Sequence, residues 1–389
     1  MLKQQNSTLS QWQRYAKYTA AALLTSLLIA CGGGGETEDK KASNPAPEGD
    51  ATPVVIEQGE AFTLYLTDMA DQVILPHYAQ MRERFEASQQ AITQFCSLET
   101  AADSDLTALQ QSWQQANQAW QQVQWLKVGP IASQNRWFRI QFWPDSNDAV
   151  ERGVTDLLLN PNVIDQPFLA TQNVGGQGLP ALERIIFADN DNALLVASDM
   201  AKRCEVMNAI AANIVLISQE VEQGWVNTTK SDLINGQGEF DSTQDAVEEL
   251  VSNLVAQIEI VRARKVDSVA DETRAAESAI ANASASNLVM NVRAFSEVFQ
   301  ANSNFGLDDI LIRSHQDQQL ADAINAQLVL TAQLAEALDE DFNQLVQTPD
   351  GKAELEKISA SLNKLEDQVK VDFVKTLGIS LGFNSNDGD

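Results

Sequence analysis

Glu183 closes the run Gly175-Gly176-Gln177-Gly178-Leu179-Pro180-Ala181-Leu182-Glu183-Arg184, and its neighbours suit it to chemistry. The glycines form a flexible loop. Pro180 suits the first turn of a helix, where its missing N–H costs nothing. A carboxylate near a helix start is favoured by the helix dipole and could hold a cation or move a proton. The same run is also complete as structure alone: a loop, a proline start and a stabilising acid. A second stretch, Trp137-Phe138-Arg139-Ile140-Gln141-Phe142-Trp143-Pro144-Asp145, is aromatic and places Asp145 at a turn. It could border a ligand, or Asp145 could cap the next helix. Together the two runs predict a cleft where Glu183, Gly178 and Arg184 meet Asp145 and Trp143. A lone buried carboxylate is costly, so Glu183 should have a cationic partner among Arg136, Arg152 and Arg184.

Other chemistry is limited by what the chain contains. It has two histidines, His77 and His315, which excludes a site built from three His ligands. There is no HExxH motif, no Ser/His/Asp or Cys/His arrangement, and the glycine run is not a phosphate-binding loop. His77 lies on an apolar helical face and could approach Glu183 as a second metal ligand; the alternative is a packed core histidine. His315 sits in a polar stretch and should be exposed. With 26 Lys plus Arg against 54 Asp plus Glu, the formal charge is −28. Such a surface repels phosphate backbones and excludes nucleic acid as a partner.

Helices must position these groups. Apolar residues recur at three- and four-residue steps, and alternating strand patterns are missing. One helix carries Val73, His77, Met81, Phe85, Ile92 and Phe95, with Pro76 kinking it or marking a late start. The next carries Leu106, Leu109, Trp113, Ala116, Trp120 and Val123, placing Trp113 and Trp120 in the core. Further helices follow over Leu194 to Val221 and Leu250 to Val261. Three more hold Leu288 to Phe299, Leu320 to Leu345 and Leu355 to Phe373. The expected fold is all-α, two antiparallel helical bundles over residues 56–235 and 236–389, parted at the glycine-containing stretch Asn235 to Ser242. Gly178 to Glu183 has a partial echo in Gly306 to Leu311, which duplication or coincidence would explain equally.

Residues 1–30 read as an address. Lys3, Arg14 and Lys17 precede an apolar run from Ala20 to Ala30, too short to span a bilayer. The run ends in Leu28-Ile29-Ala30-Cys31, which resembles the lipobox of bacterial lipoproteins. That resemblance implies cleavage before Cys31, lipidation of its sulfur and a membrane anchor. Gly32, not Asp, follows the cysteine, which resembles the outer-membrane sorting class and implies a body facing the periplasm. Residues 31–55 then form the lipidated cysteine and a disordered tether. Removing residues 1–30 takes three positive charges and no acids, lowering the formal charge from −28 to −31. In an exported chain, the remaining Cys96 and Cys204 predict a disulfide, with two separate buried thiols as the alternative.

Several of these elements, in this order, resemble the imelysin family of bacterial envelope proteins. They are the Trp-rich helix ending in Gly129-Pro130, the Phe142-Trp143-Pro144-Asp145 run, the Gly178 to Glu183 box, the Arg203-Cys204 helix and the ending Leu381 to Asp389. The resemblance implies an all-helical fold in two bundle-like halves. It also implies either of two activities, a lipoprotein of iron uptake or a metallopeptidase. The family box is GxHxxE; here Pro180 stands where the His belongs and donates nothing to a metal. Glu183 remains, with His77 as a distant second ligand, for an iron or other divalent metal ion. The reading that follows is a non-enzymatic envelope lipoprotein that binds iron, an iron complex or an iron-uptake envelope protein. The alternatives are a metal-dependent peptidase and, third, a binder of envelope polysaccharide on the aromatic run. Replacing Cys31 by Ser should move the protein from the membrane to the soluble periplasmic fraction; an acylated, membrane-bound C31S would reject the anchor.

Overall fold

The structure is a computed structural model that describes residues 55–145, 147–187 and 193–382. Cys31, the tether and the closing residues from Phe383 onward lie outside the described residues. Among those described, every regular element is helical and no strand occurs. Helix α1, Gln58–Asp68, passes through a π turn, Met69–Ile74, into α2, Leu75–Cys96. This rod begins well before the first expected position, because the π turn carries the chain past Pro76. Proline cannot donate to the carbonyl four residues back. Asn302 Nδ2 donates to that carbonyl, Gln72 O, at 3.4 Å.

Helix α3, Asp103–Val123, carries Trp113 and Trp120 fully buried on its apolar face. Two short helices follow, α4, Arg136–Ile140, and α5, Ala149–Leu159. Next are α6, Gly178–Ile186, and α7, Met200–Gly224. The later chain forms α8, Thr243–Glu259, α9, Ser284–Phe299, and α10, Leu307–Arg313, then α11, Gln318–Glu336, and α12, Pro349–Asp367. Side-chain caps fix several starts. Ser242 accepts the Asp245 N–H at 3.0 Å, Asp317 that of Leu320 at 3.0 Å, and Thr348 that of Gly351 at 3.1 Å.

Two helical groupings emerge from the packing. In the first, α2 lies against α3 and α7, and α6 against α7. In the second, α9 packs on α11 and α11 on α12. Contacts between them are extensive: α3 lies on α9, and α1 on α8 and α10. One hydrophobic core runs through both groupings from Ile56 to Ile379, and the described residues belong to a single compact unit. Position 236 marks the end of a short helix, Lys230–Asn235, where Gly236 turns the chain at φ +58°. The face of α3 opposite α2 is therefore covered by α9, and that seam holds the polar residues described below.

Cys96 ends α2 and Cys204 lies near the start of α7. Their sulfurs are bonded at 2.07 Å, with Cα atoms 5.6 Å apart and 108 residues between them in sequence. In the chain-entropy account a loop of that length constrains the unfolded state by about 4–5 kcal/mol. The double variant Cys96→Ser/Cys204→Ser should lose a large part of that in urea unfolding. Non-reducing peptide mapping of the protein isolated without reductant should find the two cysteines joined, and two free thiols would overturn the pairing.

A buried polar seam as candidate functional site

Gly178 starts α6 with φ +78°, a backbone conformation that side chains strain. A Cβ there would also meet the Ile140 carbonyl oxygen at 2.3 Å. Glycine thus lets α6 begin directly on the end of α4. The loop before it is not open: Gly175 and Gly176 are buried, and a Cβ on Gly175 would meet Ala149 O at 2.3 Å. Trp113 Nε1 donates to Leu179 O at 3.0 Å and ties the helix start to α3. This placement turns Glu183 inward, where it is 5% exposed.

Glu183 receives backbone N–H groups, not an arginine. Its Oε1 accepts from Ala281 at 2.9 Å, and Ile280 N–H also donates to the carboxylate. The three arginines are engaged or placed elsewhere: Arg136 pairs with Glu220 at 2.8 Å, Arg184 with Glu151, and Arg152 is exposed. Burial pushes the Glu183 pKa up to about 7; the nearby Glu277 charge adds to this, and the two N–H groups and Arg184 oppose it.

Glu277 belongs to a second, deeper cluster. Its Oε2 lies 2.7 Å from Lys265 Nζ, with both side chains almost fully buried. Lys265 Nζ also donates to Gln121 Oε1 and Asn291 Oδ1, each at 2.9 Å. Glu277 accepts from Gln141 Nε2 at 3.1 Å and Asn287 Nδ2 at 3.2 Å. Asn117 Nδ2 donates to Asn287 Oδ1 at 2.7 Å, and Gln124 donates to Gln121. Helix α3 supplies Asn117 and Gln121, α9 supplies Asn287 and Asn291, and a π turn after α8, Ile260–Asp267, supplies Lys265. Burial lowers the Lys265 pKa and Glu277 opposes that shift. Lys127, whose Nζ sits 4.5 Å over the Trp137 ring, is lowered by burial and by the Lys265 charge.

The expected site residues divide accordingly. Glu183 and Trp143 both lie beside the Lys265–Glu277 cluster: the Glu277 charge acts on Glu183, and Lys265 Nζ is 5.8 Å from the Trp143 ring. Asp145 caps α5 instead: Oδ1 accepts the Ala149 N–H at 2.9 Å and Oδ2 that of Val150 at 2.8 Å. Its two oxygens are spent on the helix start, and Arg184 is spent on Glu151. His77 does not approach Glu183. Its Nε2 lies 3.1 Å from Glu297 near the C-terminal end of α9, whereas Glu183 meets the chain just before that helix begins. The 13-residue rise from 284 to 297 separates the two by about 20 Å. His315 is half-buried, not exposed, and burial lowers its pKa. Trp137 is tied into the body, its Nε1 donating to Gln124 O at 3.0 Å and its ring packing on Trp120, whereas Phe138 at its other edge is 48% exposed.

The donor set around Glu183 does not fit a metal ion. Pro180 offers no ligand, one Glu183 oxygen is held by Ala281, and the neighbouring Glu277 carboxylate is already paired with the chain's own Lys265. Among the described residues no three His, Cys, Asp or Glu side chains converge as metal ligands.

Such a fold, all-helical with a glycine-led helix presenting a buried glutamate to a seam between two helical groupings, has known relatives. The imelysin family profile (peptidase family M75) matches residues 74–369. The chain belongs to the imelysin family. Among solved structures it is similar to an imelysin-like protein from Psychrobacter arcticum 273-4, at 21% identity and TM-score 0.73, over 85% of this chain and 99% of that one. It is also similar to a protein assigned as an iron-regulated protein A precursor from Parabacteroides distasonis ATCC 8503, at 15% identity and TM-score 0.68, over 85% and 98% of the two chains. No protein of curated function matches the chain.

Glu183 makes stability depend on pH in a definite direction. Its folded pKa lies above the unfolded value of 4.5, so the native state holds the extra proton. The associated stability is complete below about pH 4.5 and is lost as pH rises through about 7, an effect of about 3 kcal/mol. Glu183→Gln keeps an acceptor for Ala281 and removes the titration. Urea unfolding from pH 5 to 8 should show a decline in wild type that is missing in E183Q; parallel curves would reject the assignment.

Proposed function

We propose that this imelysin-family protein is a non-enzymatic, lipid-anchored protein of the bacterial envelope that serves iron uptake by binding an iron complex or a partner protein of the uptake machinery. The observation that carries the reading is the state of the family box. Pro180 replaces the ligand histidine, and the remaining Glu183 carboxylate is buried and held by the N–H groups of Ile280 and Ala281. Zinc hydrolases need three protein ligands and an open position for water. Here the acids are already matched by internal donors, which disfavours both peptide hydrolysis and capture of a bare metal ion. The hollow beside the glycine loop, lined by Gly153, Asp156, Asn160, Gln172 and Asn173, holds about 60 Å³, room for waters but not for a peptide. The Parabacteroides relative supports the link to iron by its assignment. The Leu28 to Cys31 lipobox-like run supports an anchor in the outer membrane, with the body in the periplasm.

A strain lacking the protein should grow normally in iron-replete medium and several-fold more slowly with an iron chelator, with slower uptake of radioactive iron. Wild type on a plasmid should restore uptake. The purified protein should cleave no peptide above background with added zinc or iron. Unchanged iron uptake in the deletion would remove the iron role. Chelator-sensitive cleavage that vanishes in Glu183→Ala would restore the peptidase.

A further inference from the structure

Lys265 is the most deeply buried cation described, and its surroundings have a definite geometry. An ammonium has three N–H donors and no acceptor. All three are matched: Glu277 Oε2 at 2.7 Å, Gln121 Oε1 at 2.9 Å and Asn291 Oδ1 at 2.9 Å. The Trp143 ring lies on another side, 5.8 Å from Nζ, where its face attracts a cation. The three oxygens come from three separate places in the chain, namely α3, α9 and the segment before α9. Further donors hold them in place: Gln141 and Asn287 on Glu277, Gln124 on Gln121, and the Asn291 amide on Gln121 O at 2.9 Å.

One carboxylate and two amide oxygens converging on a point is a hard-cation donor set, of the kind that takes calcium, magnesium or manganese, not soft metals. We propose that Glu277, Gln121 and Asn291 form a cation cage whose resident cation is the Lys265 ammonium, so that this chain carries its own counter-ion and needs no metal to hold the seam. The cage is distinct from the Glu183 box. It makes a latent metal site that appears only when the ammonium is withdrawn. Lys265→Ala would leave the three oxygens in place and remove three methylenes and the ammonium, opening a channel for an ion and its waters. Lys265→Met fills the same channel with an uncharged stem, leaves Glu277 unmatched and admits no ion.

The test is thermal unfolding of the full mature chain with calcium chloride or manganese chloride added at millimolar concentration. Wild type should shift by less than about 1 °C, since its cage is filled. Both single variants should melt lower, by on the order of 5 °C or more, because Glu277 loses its partner. Calcium or manganese should recover several degrees in Lys265→Ala and nothing in Lys265→Met. A saturable rise in wild type would show that the ammonium does not fill the site and would overturn the proposal. So would a Lys265→Ala variant that folds and ignores both ions, or a Lys265→Met variant as stable as wild type. If Lys265→Ala does not fold, the pair Lys265→Met/Glu277→Gln decides. It should melt above Lys265→Met alone, because the unmatched charge is gone, and failure to do so rejects the counter-ion role.

Discussion

Taking an ammonium and a carboxylate out of water is the constraint around which the middle of this molecule is built. Lys265 and Glu277 are each less than about a twentieth exposed, and neither could stay charged there alone. Their mutual attraction is not sufficient; the remaining N–H groups of Lys265 and lone pairs of Glu277 must also find partners. That requirement accounts for the unusual run of buried amides on α3 and α9. Asn117, Gln121, Asn287 and Asn291 occupy positions where a helical core would otherwise carry leucine or valine. A polar network of this kind resists any sliding of α3 on α9, because a shift by one turn would strand several donors at once. The hydrophobic core around it supplies most of the stability, and the network supplies the register.

Glu183 is the complementary case. It too is buried, but its matching groups are two backbone N–H donors and not a full charge. Dipoles of that size do not repay the loss of water, so burial wins and the proton is held to near neutral pH. The two carboxylates therefore differ in their partners although they lie close enough to influence one another. Glu277 is paired with Lys265, and its charge raises the Glu183 pKa further.

Much of the fold was legible from the spacing of apolar residues, since Trp113, Trp120, Phe295, Leu328 and Leu362 all lie buried on the helices expected of them. Boundaries were less so. The first helix starts at Gln58 because a π turn accommodates Pro76, a geometry that no apolar period signals. The helix expected from Leu194 starts at Met200, with a 3₁₀ turn, Ala193–Val196, before it. At the site, the glycine box and Glu183 could be found from the sequence because glycine and proline leave local marks. Lys265 could not. It sits in Arg262-Ala263-Arg264-Lys265, which looks like an exposed basic segment, and its burial depends on a turn geometry and a distant glutamate. One available signal was the pair of four-residue amide spacings, Asn117/Gln121 and Asn287/Asn291, each beside core-forming residues.

The π turns have a consequence for how this chain tolerates change in length. Each one admits an extra residue without ending the helix, and in an α-helix one residue corresponds to about 100° of rotation. The π turns at Met69–Ile74, Trp225–Thr229, Ile260–Asp267 and Gln368–Phe373 therefore act as phase adjusters along otherwise continuous rods. Loss of a single codon within residues 260–267 would let the turn relax into plain α-helix while the chain after it kept its phase, so the change would fall on the turn itself. Lys265 lies inside that turn, and its direction toward Glu277 depends on the wider winding there. The segment is thus sensitive to counting: none of its positions is fully exposed, and a one-residue deletion displaces the central charge of the molecule while leaving the helices on either side in register.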